Sequence, residues 1–306
     1  MVVVCIDGLD PAYLDWAHTP TLDHIKRKGL FRIVRALVPT VTNVNTASLV
    51  TGAYPQEHGI VANFWRDRRT GREEYMETGE FLLTPTLFQA VKKGGGRSAV
   101  LTAKDKLRSL LCAGADISFS AEKPAPWAVE AAGSPPGIFT LEVNLWLFQA
   151  AARLLDSEPV DLLYLLTTDY PYHTYPPEHP QARAHTEGVD KALGRLLEAV
   201  PDAELYLTAD HGMSPKTWGM DLEKLLARKG MGAVAVPIIK DRYVVHHQNM
   251  GGAAYVYLED PARVGEACAY LRGLEHIEEV LPREEAARQY RLHPERIGDI
   301  FLLADR

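Results

Sequence analysis

The chain has 306 residues, of which 46% are hydrophobic and 24% are charged, and its formal net charge is −7. This balance is typical of a soluble globular protein that buries a full core, and one large domain with a smaller insertion is the default expectation. The negative charge excludes a basic footprint for nucleic acid or for an anionic membrane surface, so we expect neither among the partners of the protein.

The first residues predict a buried strand and no targeting segment. The chain opens directly on the apolar run 2–6, without the basic and then apolar stretch of a signal peptide. Its apolar runs are too short to span a bilayer. Cys5, Cys112 and Cys268 are far apart and show no CxxC spacing, which is typical of a reducing compartment. We therefore expect a cytoplasmic protein.

Short apolar strands alternate with amphipathic helices through most of the chain. In chain order, the predicted pairs are strand 2–6 with helix 11–28, strand 98–102 with helix 105–112, strand 161–166 with helix 180–199, and strand 204–208 with helix 221–229. This alternation predicts an α/β fold with a mostly parallel central sheet flanked by helices. Ligands of such open sheets collect at the carboxyl ends of the strands.

The pattern changes after about residue 215. Short strands are predicted at 235–239, 243–247 and 252–258, around a helix near 260–272. These elements predict a small α+β cap. The expected division is a core over 1–215, the cap over 216–295, and the start of a return to the core over 296–306.

Three of the strand ends carry aspartates, which are Asp7, Asp169 and Asp210. Two of them have a histidine nearby, because His173 follows Asp169 by one helical turn and His211 follows Asp210 directly. A carboxylate beside an imidazole suits zinc or a similar divalent ion. Each aspartate alone is also explained as a turn former or helix cap, but three at one edge of a sheet favour a metal site.

The run from Pro39 to Asn63 is the most specific segment of the chain. It places Thr42 just before a predicted helix over 43–50, whose free N–H groups would form an anion site. A hydroxyl there can attack phosphorus if a metal lowers its pKa. Taken alone, the same residues are also explained as a threonine and asparagine cap on an ordinary helix.

Together these motifs resemble the alkaline phosphatase superfamily, in its nucleotide pyrophosphatase/phosphodiesterase-like branch. The matching segments occur in family order and are Asp7 in Cys-Ile-Asp-Gly-Leu, Thr42 in Thr-Val-Thr-Asn, the run 52–63, Asp169 with His173, and Asp210 with His211 in Thr-Ala-Asp-His-Gly-Met. They cover residues 1–215. The resemblance implies the core fold of that superfamily and a hydrolase of phosphorus compounds.

The resemblance also implies a site with two zinc ions, for which other divalent ions such as Mn²⁺ could substitute. In it, Thr42 is the nucleophile and also a metal ligand, and Asn63 holds the phosphoryl group. The remaining implied ligands are Asp7, Asp210 and His211 for one zinc, and Asp169 and His173 for the other.

A second segment narrows the substrate that the resemblance implies. Residues 102–108 are similar to the Lys-x-Lys motif of phosphonoacetate hydrolases, in which two lysines grip the substrate carboxylate. By pattern alone Lys104 and Lys106 would be solvated, yet cations at the start of a helix oppose its dipole, so an anionic partner would explain them. The implied reaction is hydrolysis of the C–P bond of phosphonoacetate to acetate and phosphate through a phosphothreonine.

One expected feature of the family pattern is not evident. The second zinc needs a third protein ligand, a histidine in a His-Gly turn near the C-terminus. His246 and His247 lead into Gln-Asn-Met-Gly-Gly and are candidates to replace it. The alternative is that a C-terminal segment that carries this histidine in relatives is missing here. Asp169 and His173 would then bind their metal ion more weakly.

Two other functions remain open on the same residues. One is a phosphodiesterase or nucleotide pyrophosphatase, with the two lysines contacting something other than a carboxylate. The other is an inactive domain that binds metal or anions through an incomplete site. The oligomeric state is also open, and a homodimer is possible.

Overall fold

The structure is a computed structural model that describes residues 1–240 and 251–305, and the chain divides into two compact units. The first unit comprises residues 1–36 and 85–213, and the second comprises residues 37–84 and 214–306. Residues 37–84, which the sequence places in the core, belong instead to the second unit.

The described residues contain strands in three sheets. In chain order they are β1 (Val2–Cys5), β2 (Phe64–Arg66), β3 (Glu73–Tyr75), β4 (Ser98–Thr102), β5 (Ile117–Ser120), β6 (Leu162–Leu166), β7 (Leu205–Thr208), β8 (Ala233–Pro237), β9 (Ala253–Leu258), β10 (Ile277–Pro282) and β11 (Ile300–Ala304).

The helices of the described residues are mostly short. In chain order they are α1 (Pro11–Trp16), α2 (Pro20–Lys28), α3 (Thr42–Thr51), α4 (Pro55–His58), α5 (Leu87–Lys93), α6 (Asp105–Leu111), α7 (Pro126–Ala132), α8 (Glu142–Ser157), α9 (Tyr170–Thr174), α10 (Pro180–Ala199), α11 (Leu222–Ala227), α12 (Val264–Arg272) and α13 (Arg283–Tyr290). None of them is long and apolar enough to cross a membrane.

The first unit is built on a parallel sheet in the strand order β5-β4-β6-β1-β7. β1 lies between β6 and β7, so that Val2 pairs with Leu163 on one side and Leu205 on the other. β4 and β6 are buried along their whole length, as expected of parallel strands that helices cover on both faces. The helix α8 packs against both strands and against α10. The predicted α/β fold with a mostly parallel central sheet is confirmed.

Alternation along the strands explains the core of the first unit. Because successive side chains of a strand point to opposite faces, Val4, Leu101 and Leu165 can share one face of the sheet. All three belong to one buried cluster, together with the apolar side of α8. On α8 that side includes Val143 and Leu147, which are one helical turn apart.

Most predicted elements of the first unit agree with the structure within one or two residues, but the helix predicted over 11–28 is divided into α1 and α2. The reason is Pro20, which has no N–H to donate and begins α2 as its first residue. Other elements of this unit, among them β5, α7 and α8, were not predicted.

The second unit contains an antiparallel sheet in the order β10-β11-β9-β8, and a separate hairpin of β2 and β3. The helices α11 and α12 contribute Leu226 and Leu271 to the same buried cluster as the strand residues Val256 and Leu302. The strand predicted over 243–247 lies outside the described residues.

The final strand differs from the expectation that residues 296–306 return to the core sheet. β11 instead pairs antiparallel with both β9 and β10. Its residues Ile300 and Leu302 are buried against the apolar cluster of the second unit. Pairing on both sides satisfies the backbone groups of the strand, which explains its placement there.

Candidate functional site

The three aspartates predicted at strand ends lie at one edge of the parallel sheet. Asp7 follows β1, Asp169 follows β6 and Asp210 follows β7, and these three strands are neighbours. All three side chains are buried. The backbone N–H of Asp7 donates to Thr167 Oγ1 (2.9 Å), and that of Gly8 donates to Asp210 Oδ1 (3.1 Å), so hydrogen bonds join the ends of all three strands.

The turn after β1 requires a glycine at position 8. The φ of Gly8 is +75°, in the left-handed region, and a Cβ there would lie 2.8 Å from the Cβ of Asp169. Any side chain would therefore be strained and would displace Asp169. Glycine allows two of the carboxylates to come close together.

A cluster with metal-ligand spacing is formed by Asp7, Asp169 and His211, whose ligand atoms all lie within 4.8 Å of one another. His211 Nε2 is 3.5 Å from Asp7 Oδ1 and 3.4 Å from Asp210 Oδ2. His173 Nε2 is 2.8 Å from Asp169 Oδ2. The five predicted ligands of the first unit thus form one continuous group, and the set within 4.8 Å contains residues that the resemblance assigns to different zinc ions.

The ring of His211 is oriented for ligation. Its Nδ1 lies 3.0 Å from the carbonyl oxygen of Gly212, which can only accept, so Nδ1 carries the proton. The other ring nitrogen, Nε2, is the one that could ligate a metal, and it faces Asp7 and Asp210. Asp210 Oδ2 is buried and receives no hydrogen bond from any residue that the structure describes.

The electrostatics of the group favour a cation. Burial raises the pKa of Asp7 well above its ordinary value, and the charges of Asp169 and Asp210 raise it further, while Lys104 opposes them. Buried like charges destabilise a fold unless a cation compensates them. The donor set of carboxylates and imidazole nitrogens suits zinc or manganese. The residues present therefore fit a divalent metal.

The two lysines of the Lys-x-Lys segment are buried, with only 2% of Lys104 and 8% of Lys106 exposed. The expectation from pattern alone, that both would be solvated, is wrong. Lys104 is the cap of α6, and its Nζ donates to Asp169 Oδ1 at 2.9 Å. A buried ammonium needs such an anionic partner, and the metal-ligand group supplies it.

The backbone next to Asp169 is held by a side chain, Asn144, that the sequence analysis did not predict to be part of the site. Asn144, buried on α8, accepts from the backbone N–H of Thr168 and donates to its carbonyl oxygen, both at 2.8 Å. His185 Nε2 lies 3.3 Å from the Asn144 amide nitrogen, and its Nδ1 lies 3.1 Å from the carbonyl oxygen of Leu141. A lone asparagine on an otherwise apolar helix face was the available signal.

His185 makes the stability of the first unit depend on pH. Burial lowers the pKa of His185 from 6.5 to about 4. Between these values the unfolded chain binds more protons, so this contribution to stability is complete above pH 6.5 and falls as the pH decreases toward 4. We expect the free energy of unfolding of metal-free His185→Gln to change less steeply over this range, by about 1 kcal/mol per pH unit.

Urea unfolding in chelator at several pH values between 4.5 and 7 measures this difference. His24→Gln, at an exposed position of α2, controls for loss of an imidazole. Equal slopes for His185→Gln and wild type would show that His185 is not held neutral.

In the second unit, Thr42 is the first residue of α3, which begins one residue earlier than predicted. The loop before it is held by Asn45, whose Oδ1 accepts from the backbone N–H of Leu37 (2.8 Å) and whose Nδ2 donates to the Leu37 carbonyl oxygen (3.2 Å). Thr46 Oγ1 donates to the Thr42 carbonyl oxygen at 2.6 Å. These bonds fix the backbone of Thr42.

Asn63 is held by its backbone, while its side-chain oxygen has no hydrogen-bond partner among the described residues. Its N–H donates to the carbonyl oxygen of Ile238 (3.1 Å), and its carbonyl oxygen accepts from Met76 N–H (2.9 Å). The residue is only 3% exposed, and Oδ1 has no hydrogen-bond partner in the described part of the chain. Because an amide oxygen only accepts hydrogen bonds, a phosphoryl oxygen would have to bind the Nδ2 side of this amide. The candidate ligands His246 and His247 lie outside the described residues.

The chain is similar to a known protein family and to a solved structure. The model of the type I phosphodiesterase/nucleotide pyrophosphatase family matches residues 1–306. The crystal structure of phosphonoacetate hydrolase from Sinorhizobium meliloti 1021 in complex with phosphonoacetate matches with a TM-score of 0.91 and 37% sequence identity, covering 99% of this chain and 80% of that chain.

Curated relatives are more distant and longer. Venom phosphodiesterase of Naja atra is 26% identical over 225 residues, which is 70% of this chain and 26% of that protein. Human ectonucleotide pyrophosphatase/phosphodiesterase family member 1 is 26% identical over 221 residues, 68% of this chain and 23% of that protein. The chain therefore spans about a quarter of the length of these relatives. Together with the fold and the carboxylate–histidine group, the family match shows that this chain belongs to the type I phosphodiesterase/nucleotide pyrophosphatase family, within the alkaline phosphatase superfamily.

Proposed function

We propose that this protein hydrolyses the C–P bond of phosphonoacetate, giving acetate and phosphate. The observation that carries the proposal is the likeness to the Sinorhizobium hydrolase over nearly the whole chain. The buried Lys104 and Lys106 support it, because buried ammonium groups are costly and are retained where they meet anions.

The proposed cofactors are two zinc ions, with other divalent ions such as Mn²⁺ as substitutes. Bound metal would lower the pKa of the attacking hydroxyl and neutralise charge on the phosphoryl oxygens. The proposed ligands are Asp7, Asp210 and His211 together with Thr42 for one ion, and Asp169 and His173 for the other.

Thr42 is the proposed nucleophile. Its Oγ1 forms a bond to phosphorus as the C–P bond breaks, and the electron pair of that bond passes to the methylene carbon. The hydroxyl proton leaves, the carbon takes up a proton, and acetate is released. Water then attacks the phosphothreonine, breaks its P–O bond and releases phosphate, which restores Thr42. Asn63 holds the phosphoryl oxygens through its side-chain amide.

The two lysines act on the leaving group in the proposed reaction. The developing carbanion is delocalised into the substrate carboxylate as an enolate, so negative charge on the carboxylate oxygens increases in the transition state. Cations beside those oxygens stabilise the transition state more than the substrate. Lys104 has three N–H donors, so it can bind Asp169 and a substrate oxygen at once.

Substitution of the lysines tests this assignment. We expect Lys106→Met to lower kcat for phosphonoacetate by about 100-fold, a typical cost of removing one transition-state donor. Hydrolysis of a nitrophenyl phosphodiester, which has no carboxylate, should be little affected. Lys104→Met should lower both activities, because it also removes the partner of Asp169. If both variants kept full turnover of phosphonoacetate, the lysines would not grip its carboxylate.

The same two substrates distinguish the second candidate function. A phosphodiesterase or nucleotide pyrophosphatase is favoured by the family match and by the venom relatives. This second function predicts that wild type prefers the nitrophenyl phosphodiester and that Lys106→Met changes neither rate.

An inactive metal-binding domain predicts about one zinc per chain without release of phosphate, whereas two zinc ions with turnover would exclude it.

A further inference from the structure

His58 is a buried residue at the end of α4, and it bonds to two different segments of the second unit. Its Nδ1 accepts a hydrogen bond from the backbone N–H of Ile60 at 3.1 Å. Its Nε2 lies 2.7 Å from Ser48 Oγ on α3. A neutral imidazole carries one proton, and the nitrogen that accepts from Ile60 cannot hold it. The proton is therefore on Nε2, and His58 donates to Ser48.

This tautomer excludes a serine–histidine catalytic pair. A histidine that activates a serine must accept the serine proton on the nitrogen facing it. Nε2 of His58 faces Ser48 but already carries a proton. Burial also lowers the pKa of His58 to about 4, so the ring remains neutral at neutral pH. The contact is therefore structural in nature, and its importance depends on what it connects.

One side of the connection is the buried loop 60–63, which leads to Asn63. The chain enters it through Gly59, whose φ is +81° and where a Cβ would lie 2.5 Å from Arg296 Nη1. Tyr255 donates from its hydroxyl to the carbonyl oxygen of Val61 at 3.0 Å. The loop is thus held along its length.

The other side of the connection is α3, which begins at Thr42. Ser48 lies on this helix within two turns of Thr42. A second tie supports the first, because Asn43 Nδ2 donates to the Met76 carbonyl oxygen at 2.7 Å, and Met76 N–H donates to Asn63. Hydrogen bonds from Asn43 and from Ser48, which lie at different positions along α3, therefore lead to the segment that carries Asn63.

We propose that His58 is a positioning residue that, through Ser48, fixes the helix of Thr42 against the loop of Asn63. The inference rests on the proposed roles of Thr42 and Asn63 and adds a residue on which their separation depends. Nucleophilic attack needs a fixed spacing between the hydroxyl of Thr42 and the amide of Asn63 that binds the phosphoryl group. A displacement of about 1 Å can cost about 100-fold in rate.

Two single variants break the link in different ways. His58→Asn keeps an acceptor for Ile60 N–H but has no donor that reaches Ser48, and Ser48→Ala removes the acceptor. We expect each to lower kcat by about 10- to 100-fold and to change KM by less than about threefold. The double variant should be no slower than the slower single variant, because both remove one interaction. His58→Gln, whose amide reaches the position of Nε2, should recover part of the rate.

The matched control is Thr51→Ala. Thr51 is also a hydroxyl residue of α3, but its Oγ1 donates to Ala47 within the same helix. It should leave kcat unchanged. If His58→Asn and Ser48→Ala turned over substrate as fast as this control, or if their effects were additive, the inference would be wrong.

Amide hydrogen exchange without substrate separates this inference from the proposed function. Exchange at residues 60–63 should be faster in His58→Asn and Ser48→Ala than in wild type and Thr51→Ala. A wild-type protein that hydrolyses neither phosphonoacetate nor the phosphodiester would disprove the proposed function, and the exchange result would then decide the positioning role. Unchanged exchange in both variants would overturn that role.

Discussion

Thr42→Ala is expected to reduce turnover by at least about 1,000-fold, as is typical when a covalent nucleophile is removed. The variant should keep its fold, because alanine is a good helix former and the bonds of Asn45 to Leu37 do not involve the Thr42 side chain. Thr42→Ser keeps the hydroxyl and should retain a measurable part of the activity.

Detection of the phosphothreonine intermediate tests directly whether Thr42 is the nucleophile. Wild type quenched in acid during turnover should carry one phosphoryl group on the peptide that contains Thr42, and Thr42→Ala should not. Mass spectrometry of the digested protein measures both. Full turnover by Thr42→Ala would show that water attacks phosphorus directly or that another residue is the nucleophile.

Asp7→Asn should have two large effects of opposite sign. Zinc affinity should fall by at least about 100-fold, because changes to residues behind a metal ligand alone cost 10- to 100-fold. Turnover should fall with it. The metal-free variant should nevertheless unfold at a higher temperature than metal-free wild type at pH 7, because asparagine removes a buried charge that repels Asp169 and Asp210.

The expected rise in the unfolding temperature of the metal-free variant follows from the raised pKa of Asp7. Between the ordinary value of 3.8 and the raised value, the folded state binds more protons than the unfolded state, so stability decreases as pH rises through this range. The Asp7→Asn variant does not lose stability in this way, because the asparagine side chain does not titrate. Thermal unfolding in chelator and zinc titration of the same samples measure the two effects, and the exposed Asp202→Asn serves as control. A less stable metal-free Asp7→Asn would show that the charge of Asp7 is already compensated within the protein.

Much of the parallel sheet could be predicted because its signals are local. The apolar runs that form β1, β4 and β6 are continuous and end at polar residues, so their bounds are visible in one dimension. Asp7 and Asp169 could be predicted as neighbours by the general rule that parallel strands end at one edge of the sheet. The helix α8 was missed although Val143, Leu147, Ala150 and Leu154 repeat at helical spacing.

Other features depend on residues that are distant in the chain. Lys104 and Asp169 form a buried ion pair across two strands, and nothing near Lys104 in sequence shows that its charge is buried. The bonds of Asn144 to Thr168 likewise join a helix to the end of a strand. Such partners are selected by packing, not by spacing along the chain.

The grouping of the ligands shows the same limit. Sequence resemblance separates Asp7, Asp210 and His211 from Asp169 and His173, whereas in the structure ligand atoms of Asp7, Asp169 and His211 also lie within 4.8 Å of one another. The reason is strand order, because β1 lies between β6 and β7 and Asp7 is therefore adjacent to both other aspartates. That order is a property of the assembled sheet.

The sequence by itself therefore determined the fold class, the superfamily and the candidate chemistry, because apolar periodicity and short motifs are encoded by adjacent residues. Tertiary structure decided the partner of Lys104, the support of Asp169 by Asn144, and the protonated nitrogen of His58. Each of these depends on burial and on hydrogen bonds between segments that only the folded chain brings together.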